Sequence, residues 1–486
     1  MHRISFITTL LLCVSLAGSL RAQELPSGAD AAAAIEKSLV DVIARAEKSV
    51  VAIARVRKER AGETFQLEFR PDPFGRRPSP LAPPQPTDPD FIPNEYGTGV
   101  VIDRRGLILT AYHVLAEESD YYVTAADRKV YKASVKGADP RSDLAVLSID
   151  AADLSPITFG NAAELKKGQI VVSLGNPYAI ARDGQPSAGW GIVANLGRKA
   201  PAAPSESDPT GRPTLHHYGT LIQTDAKLNL GASGGPLLNL KGEMVGLSVA
   251  LAAAPGYETA GGYAYPVDPT FRRVVETLKQ GREVDYGFLG VLPGNLPPAD
   301  ASGAPHGIRV SQVVPGTPAA RSGLKVEDVV TEVDGAAVYD ADSFYLEVGR
   351  LPAEAVARLN VVRDGRKRTI EATLSKYPVR GKKIVTAPEP AWRGLRVDYP
   401  TAVVDAEGRP RGGMSFADNA VIVTEVFDGS PASQAGLRHG MLISHVDRAP
   451  VRTPKEFAAA VARKFGPVQL RLVGDDKNPL RTIGPG

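Results

Sequence analysis

The second half of this 486-residue chain is written twice. The stretch IRVSQVVPGTPAARSGLKVEDVVTEVDGAAV begins at Ile308, and VIVTEVFDGSPASQAGLRHGMLISHVDRAPV begins at Val421. The offset of 113 residues holds without a gap through Phe344 and Phe457, Val348 and Val461, and Arg358-Leu359 and Arg471-Leu472. Each copy reads as a strand, a turn with Gly and Pro, a short helix, a strand, a second turn, a longer helix and a final strand. Two copies of roughly 90 residues are two similar domains, because a solenoid needs more and shorter units. A chain of this length holds about three domains. The residues before the repeats are therefore one larger domain.

That larger part centres on Gly231-Ala232-Ser233-Gly234-Gly235-Pro236-Leu237. Small residues around a serine let a substrate carbonyl approach the backbone, and the N–H groups of a tight turn can converge on one oxyanion. Glycine-flanked serines also occur in ordinary turns, so a base and an acid are needed. Histidine is scarce: His2, His113, His216, His217, His306, His439 and His445. His113 stands at the end of the second strand of a predicted hairpin whose turn is Asp103-Arg104-Arg105-Gly106. A histidine after a strand is often a satisfied structural residue. Thirty residues on, Asp143 opens the apolar run Leu144-Ala145-Val146-Leu147, where a charge needs a partner or acts as a turn cap. The order His113, Asp143, Ser233 gives the three residues a common reading.

The segments TAYHV, SDLAVL, SLGNPYA, GWGIVANLGR and QTDAKLNLGASGGPL together resemble the HtrA/DegP family of trypsin-like serine proteases, over roughly residues 30–280. The resemblance implies a mainly β chain: a chymotrypsin-like double β-barrel protease, then two α+β PDZ-like domains. It implies Ser233 as nucleophile, His113 as general base and acid, and Asp143 as the residue holding the imidazole tautomer. The oxyanion donors it implies are the backbone N–H groups of Gly231 and Ser233. One departure is Ala232, where the family usually has Asn and digestive relatives Asp. It removes a polar side chain that would brace the turn.

Met1–Ala22 has a short apolar run ending in small residues, as in a signal peptide, although Leu20 is large for its place before the cut. An uncleaved anchor ranks second, because the run falls short of about 20 residues. Cys13 is the single cysteine and lies in that segment, so disulfides, thiol chemistry and cysteine metal sites are excluded from a mature chain. Export without cysteine fits a periplasmic or secreted protein of the bacterial envelope. A net charge of +3 with 23% charged residues argues against nucleic acid as a partner. No metal, organic cofactor or stable membrane span after signal removal is expected. His216 and His217 lack acidic or cysteine neighbours at ligand spacing.

The expected boundaries are a signal peptide over 1–22, a helical segment over 23–49, the protease over 50–280, the first PDZ-like domain over 285–376, a linker over 377–391 and the second PDZ-like domain over 392–480. Pro71–Pro93 and Lys199–Pro213 are proline-rich and read as surface loops. The strands Glu243–Leu251 and Gly261–Val267 should wall the specificity pocket. With Val249, Ala250, Leu251 and Ala264 there, cleavage after small or medium aliphatic residues is expected.

A PDZ domain takes an extended C-terminal peptide by strand addition. In the first copy the loop is Tyr286-Gly287-Phe288-Leu289-Gly290-Val291, with Phe288, Leu289, Gly290 and Val291 the peptide-binding residues. In the second copy it reads Arg393-Gly394-Leu395-Arg396-Val397, with Arg396 in place of the second glycine. The first copy is thus the expected binder. The resemblance implies an exported serine endopeptidase degrading unfolded or misfolded envelope proteins, its partners being such substrates and C-terminal peptides, as a homotrimer or larger homo-oligomer. The alternative is a proteolytically weak or inactive chaperone or scaffold using the same domains, suggested by Ala232 and the altered second loop. GASGG does not match the strand–helix elbow of lipases and esterases.

Overall fold

The computed structural model describes residues 28–58, 95–176, 185–202, 211–228, 231–249, 262–296, 306–403, 419–474 and 478–485. The expected signal segment, the Pro71–Pro93 loop, Ala250 and Leu251 lie outside them.

Helix α1 (Gly28–Ala46) leads into β1 (Val50–Arg57). It buries Val42 and Ala46 in the core of the first barrel. That barrel continues with β2 (Glu95–Asp103), β3 (Leu107–Ala111), β4 (Ser119–Thr124), β5 (Val130–Asp139) and β6 (Leu144–Ile149). The strand order is β5-β4-β1-β2-β3-β6, and β5 pairs with β6 to close it. The β2–β3 turn is set by its sequence: Asp103 Oδ1 accepts from the Arg105 N–H at 2.8 Å, and Gly106 has φ +96°. A side chain at Gly106 would lie 2.2 Å from the Ile149 carbonyl oxygen.

The second barrel is formed by β7 (Ile170–Gly175), β8 (Ser187–Arg198), β9 (Leu221–Thr224), β10 (Pro236–Leu238), β11 (Met244–Val249) and β12 (Gly262–Pro266), closed in the order β10-β11-β12-β9-β8-β7. Val171, Val193, Ile222, Leu237, Val245 and Ala264 fill its core. The valines, Ile222 and Leu237 are each worth about 2 kcal/mol in buried apolar surface. Helix α2 (Pro269–Lys279) begins at an Asp268 cap bonded to the Phe271 N–H, with proline at its first position. It lays Phe271, Val274, Val275 and Leu278 into the first barrel's core.

Each repeat is a small antiparallel sheet flanked by helices around its own core, one including Phe344 and Val348, the other Phe457 and Val461. The stretch between them is no free tether. Ile384 pairs with Ala138, and Val385 with Gly137, extending the first barrel along β5 beyond the end of β4. Lys376 is buried with Nζ 3.0 Å from Glu283 Oε2 and 2.7 Å from Asp398 Oδ2, tying the end of the first repeat to the residues before it and after it. Among the described residues no helix is long and apolar enough to cross a membrane.

Candidate active site

His113 lies in a single 3-10 turn, Tyr112–Val114, directly after β3, and Asp143 ends the turn from β5 into β6. The pairing of Ala111 with Leu144 brings the two together. One carboxylate oxygen of Asp143 accepts the His113 backbone N–H at 2.9 Å, and the other meets His113 Nδ1 at 2.7 Å. A carboxylate on Nδ1 leaves Nε2 as the basic nitrogen, on a ring whose side chain is 43% exposed. Burial works against a charge on His113, but the hydrogen bond and charge of Asp143 outweigh it and raise its pKa.

Asp143 has φ +53°, a left-handed conformation that costs a non-glycine residue about 1–3 kcal/mol unless its surroundings enforce it. They do. Its carbonyl accepts the Tyr112 N–H at 2.8 Å. The preceding residue, Ser142, gives its N–H (2.8 Å) and hydroxyl (2.6 Å) to Asp139 Oδ2. The Ser142 carbonyl meets His216 Nε2 at 2.9 Å. Tyr265, from β12, donates its hydroxyl to Asp143 Oδ2, and the His216 ring stacks on the tyrosine at 3.6 Å and 10°. Sequence reasoning found neither Tyr265 nor this place for His216.

Ser233 sits in the turn before β10, pressed between the barrels. Side chains at Gly231, Gly234 and Gly235 would come within 2.4, 2.1 and 2.2 Å of the carbonyl oxygens of Asn176, Thr98 and Leu174, so each must be glycine. Thr98 of β2 fastens the turn: its N–H donates to the Ser233 carbonyl at 2.9 Å and its hydroxyl to the Gly231 carbonyl at 2.6 Å. The residue before it, Gly97, lies so close to Val114 that an added Cβ would come within 2.8 Å. One strand therefore locates both the neighbour of His113 and the loop of Ser233. Ala232 is buried against Gly175, so the bracing expected of a polar side chain there comes from Thr98. Of the residues expected to wall the pocket, Val249 and Ala264 are buried.

In the first repeat, Gly287 and Phe288 pair with Lys376 and Ser375, and Leu289 and Val291 are buried. Gly290 has φ +88°, and a Cβ on it would lie 2.3 Å from Thr317. The strand Val291–Asn295 is the edge of its sheet, pairing on one side with Ile308–Val313. The second copy corrects the sequence alignment. Gly394, not Arg396, stands in the place of Gly290: it has φ +80°, a Cβ on it would meet Ser430 at 2.2 Å, and its carbonyl accepts Phe427 as that of Gly290 accepts Val314. Arg396 lies one residue into the strand and pairs with Glu425. Arg393 takes the place of Leu289 and donates to the carbonyls of Lys464, Gly466, Ile483 and Gly484. Trp392 and Leu395 bond each other's backbones, closing that loop on itself.

The first repeat also touches the site's supports. The hydroxyl of Tyr286 donates to Asp139 Oδ2, and the Arg141 guanidinium lies 3.7 Å from the centre of the Tyr377 ring. Asp342 accepts Lys199 at 2.6 Å and Arg212 at 2.7 Å, both from the described ends of the proline-rich Lys199–Pro213 loop.

A trypsin-like peptidase domain model matches residues 97–247, and a PDZ domain model matches residues 276–374. A protein of Pseudomonas fluorescens named as a probable periplasmic serine endoprotease, DegP-like, is 34% identical over 384 residues, covering 78% of this chain and 76% of that protein. One of the same name from Pseudomonas putida (strain W619) is 32% identical over 464 residues, covering 90% and 91%. Among solved structures, the HtrA-type protease AlgW with a decapeptide superimposes with a TM-score of 0.50 at 26% identity, over 70% of this chain and 99% of the other. AlgW with a tripeptide gives a TM-score of 0.52 at 25% identity, over 70% and 97%.

Proposed function

We propose, on the premise that the chain belongs to the family of DegP-like periplasmic serine endoproteases, that His113, Asp143 and Ser233 are its catalytic residues and that unfolded envelope proteins are its substrates. The observation that carries this is the double hold of Asp143 on His113, through the backbone N–H and through Nδ1. It fixes the tautomer in which Nε2 takes the proton of Ser233 Oγ as the oxygen attacks the scissile carbonyl. The N–H groups of Gly231 and Ser233 receive the oxyanion. His113 then protonates the leaving amine, and water, deprotonated by the same nitrogen, hydrolyses the acyl-enzyme.

The first repeat is the peptide receptor in this reading. Its edge strand is open to strand addition, and Phe288, Leu289, Gly290 and Val291 form the loop for a terminal carboxylate. The second copy's self-bonded loop and engaged Arg393 fit an assembly surface better. Bound peptides raise the local concentration of substrate or stimulate the barrels, and the working form is a homotrimer or larger. Small or medium aliphatic residues precede the cut.

The test is digestion of an unfolded, casein-like protein by the chain from Gln23 onward, beside its Ser233→Ala variant, with and without hydrophobic C-terminal peptides. Fragments from the wild type only are expected. Equal fragmentation by both chains, or by neither under any condition, would overturn the assignment.

A further inference from the structure

Tyr265 and His216 occupy the interior behind Asp143, and the mechanism above uses neither. A buried phenol needs a partner for its hydroxyl, and for Tyr265 that partner is Asp143 Oδ2, the oxygen that also meets His113 Nδ1. The ring is fastened from its face. His216 Nε2 faces the Ser142 carbonyl at 2.9 Å, an acceptor only, so Nε2 carries the proton; Nδ1 then accepts the Thr220 hydroxyl at 2.6 Å. Both ring nitrogens are thus used by a neutral imidazole. Its burial, which pushes its pKa down to about 4, keeps a second positive charge away from Asp143. Burial and the Asp143 charge push the Tyr265 phenol up, so it stays a donor.

We infer that Tyr265 is a positioning residue for the reaction: its hydroxyl, held by the stacked imidazole of His216, fixes the Asp143 carboxylate in the rotamer that serves His113. This rests on the catalytic assignment above. Three donors on two oxygens leave the carboxylate no second orientation of equal energy, and the left-handed backbone at Asp143 leaves it few local alternatives. The hydroxyl also draws on charge that would otherwise act on the imidazolium. Among the described residues, the other titratable groups facing this cluster are Tyr112, whose phenol feels Asp143, His217 and Arg350, which act on His216, and Asp268, which lines the same cavity as His216.

The experiment measures kcat and KM against pH on a fluorogenic unfolded protein for the wild type, Tyr265→Phe and Ser233→Ala. It adds nitrogen-15 NMR titration of His113 in the Ser233→Ala chain with and without Tyr265→Phe. The phenylalanine chain should lose about tenfold in kcat, the worth of one hydrogen bond to a charged group, with KM unchanged. Its acid limb and the His113 midpoint should both move up by about one pH unit. Superimposable profiles and midpoints would overturn the inference, as would a lower kcat with an unmoved His113 midpoint, the mark of a merely structural residue. Cleavage by Ser233→Ala at the wild-type rate would instead sink the catalytic assignment beneath it. Should Tyr265→Phe not fold, His216→Ala in the Ser233→Ala chain, which removes the stacked ring, asks the same question: a raised His113 midpoint supports the fastening role, and an unmoved one rejects it.

Discussion

The hydroxyl of Tyr286, at the entrance to the first repeat, donates to the carboxylate of Asp139, 147 residues earlier, on the oxygen that also holds Ser142. A residue outside the barrels is therefore one hydrogen bond from the turn that fixes Asp143. The other oxygen of Asp139 is buried without a hydrogen-bond partner among the described residues, and burial pushes this carboxyl's pKa up.

Tyr286→Phe should cost about 1–3 kcal/mol of stability, because it takes a donor from a buried carboxyl. It should also lower kcat by slackening Ser142 and Asp143. Urea unfolding alongside kcat checks both; a stability loss with kcat untouched would uncouple the two sites.

Asp143→Asn keeps the shape of the side chain but allows the amide to select the wrong imidazole tautomer. A fall in kcat of about 10⁴ is expected. Crystallography of the variant, showing whether the 2.7 Å contact to His113 persists, separates tautomer from displacement.

His216 sets a pH limit on stability. Its pKa is about 4 in the folded chain and about 6.5 when unfolded. The unfolded chain therefore takes up the proton first as pH falls. The stability from keeping this ring neutral is present above pH 6.5 and lost between 6.5 and 4, by about 3 kcal/mol in all. His216→Phe should flatten that part of the curve, and denaturant unfolding at pH 7 and pH 4.5 measures the difference between the two chains.

Gly290→Ala forces a side chain onto a left-handed residue and into Thr317. Calorimetry with a hydrophobic C-terminal peptide should show binding lost, while the parallel Gly394→Ala change should leave that heat signal in place. The reverse result would move the receptor to the second repeat.

Asp342→Ala removes the acceptor shared by Lys199 and Arg212. Partly exposed ion pairs are worth about 1 kcal/mol or less, so peptide stimulation of cleavage should fall by only about threefold. Peptide affinity, read by calorimetry, should hold.

Much of this architecture could be read from residues because its signals are local. The glycines around Ser233 are steric necessities, and the apolar run of Leu144–Ile149 and the 113-residue offset need no knowledge of distant contacts. What escaped depends on pairs far apart in the chain. Tyr265 meets Asp143 across 122 residues, and nothing in the run Gly262–Pro266 distinguishes a tyrosine that bonds a carboxylate from one that fills space. The equivalence of Gly394 with Gly290 is hidden in the sequence because the connection from that glycine to the repeat is longer in the second copy, so it does not follow the 113-residue offset. The place of His216 is likewise set by its stacking on Tyr265, which spacing along the chain does not encode.

The pairing of Ile384 and Val385 with β5 also dictates an order of events at birth. The ribosome delivers β5 long before it delivers these two residues, since the second barrel and the whole first repeat come between. Until then part of the β5 edge is bare, and a bare edge is a template for any extended chain nearby. Such late, distant closure is slow. A neighbouring copy already complete past Val385 offers the same two residues to that edge, so crowding during maturation favours an exchange of this strand between molecules. Dilution or a folding helper favours each chain keeping its own.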